Sequence, residues 1–254
     1  MNAVSFPKVT MDRMREDVWL QLGRVTDPEL DEAVTDMGFI ESYEVRDGGH
    51  VHVAFRLPTY WCSPNFAFLM GHDMRKSIMA LPWVTGVDVV LGDHMYVDQI
   101  NRGVNGGLSF QQTFGDAADG DLDDIRRTFL RKAFQWRQEA LITHLLATGV
   151  AAEALVDWTV DRLRERYEAD TARHLITRYL ERREVAGGFG GEDLAFVTLE
   201  GTRLDAGTLS DHLRAIRRVR TNAEFNGALC RRLLDERFST EPLALCQPGR
   251  QAPQ

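Results

Sequence analysis

The apolar positions of the first hundred residues change period several times, and each change marks an element. Thr10 precedes a stretch whose apolar positions, Met14, Val18, Leu20 and Leu22 among them, predict a helix capped by Thr10 and running to about Gly23. Gly23 and the Asp27-Pro28 pair end it, because the residue before a proline avoids the helical region and an Asp side chain closes turns. Residues 31–37 read as a short helical turn, and Phe39 to Arg46 as a strand. Asp47-Gly48-Gly49 is a hairpin signal. Strict alternation follows from His50 to Leu57. Val51, Val53, Phe55 and Leu57 fall on one face, and His50, His52, Ala54 and Arg56 on the other. Phe66, Leu69, Met70, Met74 and Ile78 then return to helical spacing over Ser63 to Met79, and Val84 to Leu91 is a third strand. The order α-β-β-α-β predicts a small α+β domain over residues 1–97.

Residues 98–120 are rich in glycine, with Asn, Ser, Gln and Asp between, and read as a linker or mobile loop. A mostly α-helical region is predicted over 121–240. Its clearest helix is Asp121 to Leu146, where Ile125, Phe129, Ala133, Trp136 and Ala140 recur at threes and fours. Further helices are predicted at about 151–166 and 171–184. A glycine-rich hinge follows at 187–191, a short strand at 194–199, and two last helices at about 208–219 and 221–236. The tail, 241–254, contains three prolines and is expected to be flexible.

Charge is uneven along the chain. Residues 1–100 carry 8 Lys/Arg against 15 Asp/Glu, a balance of −7, whereas residues 101–254 carry 22 against 23, a balance of −1. An acidic first domain repels phosphate backbones, so nucleic acid is not an expected partner. No segment approaches the ~20 apolar residues that span a bilayer. Three widely spaced cysteines do not form a disulfide framework, and the N-terminus lacks a leader pattern, so a reducing cytoplasm is the expected location.

Cys62 stands at a strand-to-helix junction in Leu57-Pro58-Thr59-Tyr60-Trp61-Cys62-Ser63-Pro64, downstream of Thr26-Asp27-Pro28-Glu29-Leu30. A helix N-terminus favours the thiolate form, the one that binds soft metals. Locally, a buried structural cysteine in a turn explains the same residues. Several ordered pieces add to the local pattern: Asp27-Pro28-Glu29, the step Met37-Gly38-Phe39-Ile40 into a strand, Thr59 three residues before Cys62, Pro64 after it, and Leu81-Pro82-Trp83-Val84 before the last strand. Over roughly Met11 to Val97 the chain resembles the iron–sulfur cluster assembly factors of the SufT and PaaD type. It departs from many members in having Ser63 between the cysteine and the proline. The resemblance implies that Cys62 is a metal ligand for iron or an iron–sulfur cluster in transit. Asp27 and Glu29 then supply oxygen ligands or hold the Cys62 loop, and serve equally well as a helix-terminating turn. Thr59 bonds the thiolate or caps the next helix.

A cluster normally takes four ligands. One cysteine per chain therefore implies transient binding, ligation shared across a homodimer, or ligation shared with a client. The resemblance thus implies a non-enzymatic maturation factor whose partners are a client metalloprotein or other assembly factors. The fusion to a helical extension is similar to proteins accompanying bacterial multicomponent monooxygenases, which makes such an oxygenase a natural client. The alternative is an adaptor or chaperone for an oxygenase subunit that binds no metal.

Other candidates carry less. His50 and His52 share a strand face but lack a third ligand. His72 and Asp73 read as helix surface. Asp93, His94 and Asp98 form a loose ligand set after the last strand. Cys230 and Cys246 lack paired spacing, and Cys230 reads as core of an amphipathic helix. The run Arg214, Arg217, Arg218 and Arg220 reads as a solvated face or as a dock for an acidic partner, the first domain included. No Ser-His-Asp order, HExxH or dinucleotide fingerprint occurs.

Overall fold

Thr10 caps the first helix as its sequence predicts: its hydroxyl accepts from the Arg13 backbone N–H at 3.3 Å, and α1 spans Met11–Leu22. The structure, a computed structural model, describes residues 10–115, 122–169 and 173–238. Three strands follow the predicted order, β1 (Ile40–Arg46), β2 (His50–Phe55) and β3 (Gly86–Leu91), with α2 (Pro64–Met79) between the last two. β2 is central, antiparallel to β1 and parallel to β3, because α2 carries the chain across the sheet. The hairpin turn has Gly48 and Gly49 at φ 80° and 82°. Gly49 also lies against the Trp83 carbonyl, where a Cβ would collide.

The period-2 alternation is the burial pattern. Val51, Val53 and Phe55 of β2 and Val87, Val89 and Leu91 of β3 face the core, where Val18 and Leu22 of α1 and Ala67, Met70, Met74 and Ile78 of α2 meet them. Burying such side chains contributes roughly 1.5–3 kcal/mol each. Residues 31–37 hold no helix: Ala33 bridges to Thr26 and turns follow from residue 34.

The segment expected to be a linker over 98–120 is not one across its described part. It forms α3 (Val97–Asn105) and α4 (Phe110–Phe114), and Ile100, Val104 and Phe110 belong to the first core. Gly103 is a contact glycine: a Cβ there would lie 2.7 Å from Thr113 Cγ2 and 2.8 Å from Phe68 Cε2. Asn101 and Asn105, one turn apart on α3, then satisfy the outer edge of β3. The Asn101 Oδ1 accepts from the Leu91 N–H at 2.8 Å and its Nδ2 donates to the Leu91 carbonyl at 3.1 Å. Asn105 does the same for Val89, both bonds at 2.8 Å. An open strand edge invites pairing with other chains, and two amides close this one.

The helical region comprises α5 (Leu122–Ala147), α6 (Ala152–Leu155), α7 (Val160–Ala169), α8 (Arg173–Arg183), a 3-10 turn at Glu184–Ala186, and α9 (Leu209–Phe238). The single helix expected at 151–166 is thus α6 and α7. The strand expected at 194–199 is reduced to two isolated bridges, Thr159 to Leu194 and Val197 to Arg203. The glycine stretch after residue 186 is tied down by the buried Arg183, which donates to the Gly187 carbonyl at 2.7 Å and to the Leu194 carbonyl at 2.6 Å.

The two last helices expected are one 30-residue helix, α9. Neither glycine nor proline stands near the expected break, and the Thr221 hydroxyl donates to the Arg217 carbonyl at 3.2 Å, leaving the ladder intact. At 1.5 Å per residue α9 is about 45 Å long. Its start packs Leu209, Leu213 and Ile216 into the second core, and its end packs Leu234 into the first. The arginine run is not wholly solvated: Arg217 and Arg220 pair at 2.9 and 3.1 Å with the fully buried Glu139 of α5. The end of the expected linker (116–120), the expected tail (241–254) and Cys246 lie outside the described residues.

Candidate functional site

The loop after α1 is built around Asp27. Its Oδ1 accepts from the backbone N–H groups of Glu29 and Leu30, each at 2.9 Å, and its carbonyl accepts from the Asp31 N–H at 2.8 Å. Pro28 presets the turn, and Asp31 completes it at φ 53°. The Asp27 side chain is also buried, at 8% exposure. Burial pushes its carboxyl up to about 6, against the pull of the two N–H bonds, and the neighbouring Glu29 charge adds to the rise.

The helical region grips this loop. Asp31 is ion-paired with Arg137 of α5 and with Arg182 of α8, the latter at 2.7 Å, and its carbonyl accepts from Arg178 at 3.0 Å. The Glu29 Oε1 accepts from Asn226 of α9 at 3.1 Å.

Cys62 lies in the crossover between β2 and α2. Its N–H donates to the Thr59 carbonyl at 3.4 Å, and its Sγ lies 3.1 Å from the Thr59 Oγ1. The helix N-cap is Ser63, which makes no side-chain cap bond, with Pro64 in the first turn. Thr59 is therefore engaged with the thiol and not with the helix cap. His94 fixes the other side of the loop. Its Nδ1 accepts from the Tyr96 N–H at 3.1 Å, so the proton of the neutral ring sits on Nε2, which donates to the Cys62 carbonyl at 2.8 Å. Burial holds this imidazole below its ordinary 6.5, opposed by the bond to Cys62. Trp61, beside the thiol, is 72% exposed.

These two loops and α9 enclose a cavity of about 240 Å³. Asp27, Glu29, Thr59 and Cys62, distant in the sequence, all line it. So does Cys230 of α9, which reads from sequence as core. Phe39, Leu57, Phe66 and Met70 make its apolar wall. Burial pushes the Cys230 thiol up to about 11, and the charges of Asp27, Cys62 and Glu29 raise it further, against a smaller effect of Arg231. Two thiols and two carboxylates are the donor chemistry of a soft or borderline metal such as iron. Among the described residues no three Cys, His, Asp or Glu side chains lie close enough together to hold a metal ion.

The other sequence candidates lie elsewhere. Asp93 pairs with Arg237 and both nitrogens of His94 are occupied, so Asp93, His94 and Asp98 do not form a ligand set. Asp73, expected as bare surface, makes a bidentate pair with Arg126 of α5 at 2.6 and 2.9 Å. His50 faces Asp88 at 3.7 Å. Sequence reasoning missed the roles of His94 and Cys230. A lone histidine after a strand and a lone cysteine on a helix offered no spacing to find them by.

A family of iron–sulfur cluster assembly proteins matches residues 15–89, which include Asp27, Glu29, Thr59 and Cys62. An uncharacterized protein of Methanocaldococcus jannaschii is 30% identical over 88 residues, covering 90% of that protein and 35% of this chain. Through this N-terminal unit the chain belongs to the iron–sulfur cluster assembly protein family. Cys230 and the helical region lie beyond the family match. No described helix is long and apolar enough to cross a membrane.

Proposed function

We propose that this member of the iron–sulfur cluster assembly protein family is a carrier of the SufT and PaaD type, which receives an iron–sulfur or iron centre and hands it to a client metalloprotein. The supporting observation is the Cys62 thiol, bonded on one side to Thr59 and facing on the other a cavity lined by Asp27 and Glu29. The metal centre is cargo. Cys62 supplies the thiolate that first takes hold of it, Thr59 holds that sulfur in place, and His94 fixes the loop that carries it. A cluster normally takes four ligands, so the client would supply those that Cys62 does not. Trp61 at the rim offers an exposed aromatic anchor for that client. The resemblance to proteins that accompany multicomponent monooxygenases supports an oxygenase or its reductase as client, in the cytoplasm.

Anaerobic reconstitution with iron and sulfide, on wild type and Cys62→Ala, tests the reading. Visible charge-transfer bands and bound iron in the wild type, lost in the variant, are expected. A chromophore in neither protein would defeat the carrier. Client activation that survives Cys62→Ala would point instead to the metal-free adaptor.

A further inference from the structure

We propose that Cys230 of α9 is the second thiolate of the Cys62 site, so that the helical region supplies a ligand to a soft divalent cation bound between the two units. Cys62 reaches the cavity from the β2–α2 crossover and Cys230 from α9, and both line the same space of about 240 Å³. The cavity also holds Asp27, buried at 8% exposure, with Glu29 beside it. The Asp27 Oδ1 is taken by two backbone N–H groups, and among the described residues no cation pairs with its carboxylate. Two carboxylates beside one partly buried cavity favour a cation entering it, and the two thiols give that cation soft donors. Arg231 bonds the Met37 sulfur at 3.3 Å rather than any of these groups.

A soft dication supplies the missing charge. Both S–H groups lose their protons to solvent as the two metal–sulfur bonds form, and no electron changes hands. This rests on the carrier reading for the identity of the cargo. It adds that the site is built from both units and that α9 has a direct chemical role.

The test is an anaerobic Co2+ titration of the reduced full chain, followed by the thiolate-to-cobalt charge-transfer band. Cys62→Ala, Cys230→Ala and Cys230→Ser are compared with the wild type. Each single variant should lose about half of the band and bind at least about tenfold more weakly, the cost of losing even an outer partner of a metal ligand. In the unmodified protein, Cd2+ should protect both Cys62 and Cys230 from alkylation, read by mass spectrometry, so the result does not depend on the variants folding. Band and affinity unchanged in both Cys230 variants, or Cys230 alkylated at an undiminished rate, would overturn the inference. Loss of cluster binding in Cys62→Ala would in that case leave the carrier reading standing. No cobalt band in the wild type would also overturn the inference, while iron–sulfide reconstitution judges the carrier separately.

Discussion

Asp31 and Arg137 form an ion pair across the boundary between the family unit and the helical region, with side chains only 4% and 3% exposed. The pair sits four residues after Asp27, on the same loop that lines the Cys62 cavity. The helical region therefore holds the shape of the acidic loop as well as packing beside it.

Asp31→Asn keeps a residue that tolerates the positive φ but leaves Arg137 and Arg182 facing an uncharged group. Breaking a buried pair in this way costs about 3–5 kcal/mol, and the remaining bond from Arg137 to Glu181 at 2.7 Å should keep the loss near the lower end. Urea unfolding of the variant reads this directly. A loss under 1 kcal/mol would show that the pair does not hold the loop.

Asp27 should make stability fall as pH rises. Its carboxyl titrates near 6 in the fold against 3.8 in the unfolded chain, so the fold holds the proton more tightly between those values. The contribution is fully present below 3.8 and is lost as pH rises through 6. Asp27→Asn retains an oxygen for the two N–H bonds and removes the buried charge. It should raise stability at pH 7 by up to about 3 kcal/mol, from roughly two pH units at 1.36 kcal/mol each. Unfolding at pH 4 and pH 7, wild type against variant, checks both the size and the sign. The same variant should bind Co2+ less well, since it removes a negative group from the cavity.

His94 acts in the opposite direction. Its folded value lies below the 6.5 of the free side chain, so the unfolded chain takes up the proton first. Its contribution is present above 6.5 and is lost as pH falls below that value. Protonation removes the Nδ1 acceptor for the Tyr96 N–H and loosens the Cys62 loop. Amide NMR shifts of Tyr96 and Cys62 should move together with a midpoint below 6.5, and the movement should vanish in His94→Gln. Shifts unaffected by that variant would show that another group drives them.

Asn105→Leu should expose the β3 edge. The Val89 N–H and carbonyl would lose their partners, at about 1–3 kcal/mol for each polar group left buried and unsatisfied. Light scattering should show added oligomers, because an unsatisfied strand edge recruits other chains. A monomer as stable as the wild type would refute the edge-closing role.

Much of the first unit was legible because its elements are locally specified. The Thr10 cap, the Asp47-Gly48-Gly49 turn and the alternation along β2 each depend on neighbours within a few residues. Over 98–115 the glycines signal a loop in sequence but serve packing in the fold. Gly103 is small so that Thr113 and Phe68 can approach, and Asn101 and Asn105 are bonded to β3 rather than to solvent. The single helix α9 reads as two in sequence because its apolar face changes partner partway, from the second core to the first.

The four residues singled out from sequence, Asp27, Glu29, Thr59 and Cys62, do line one cavity. Their local chemistry was visible because a turn, a strand end and a helix start each have short-range signatures. Cys230 had no such signature. A thiol on an amphipathic helix looks the same whether it meets a leucine or another thiol, and only the long-range packing of α9 decides which. The sequence by itself determined most elements of the first unit, the acidic loop and the Cys62 loop, since backbone conformation there follows from nearby side chains. Tertiary structure decided that arginines from α5 and α8 grip Asp31, that His94 holds Cys62, and that a second sulfur enters the cavity. Those contacts join residues far apart in the chain, and no local preference encodes them.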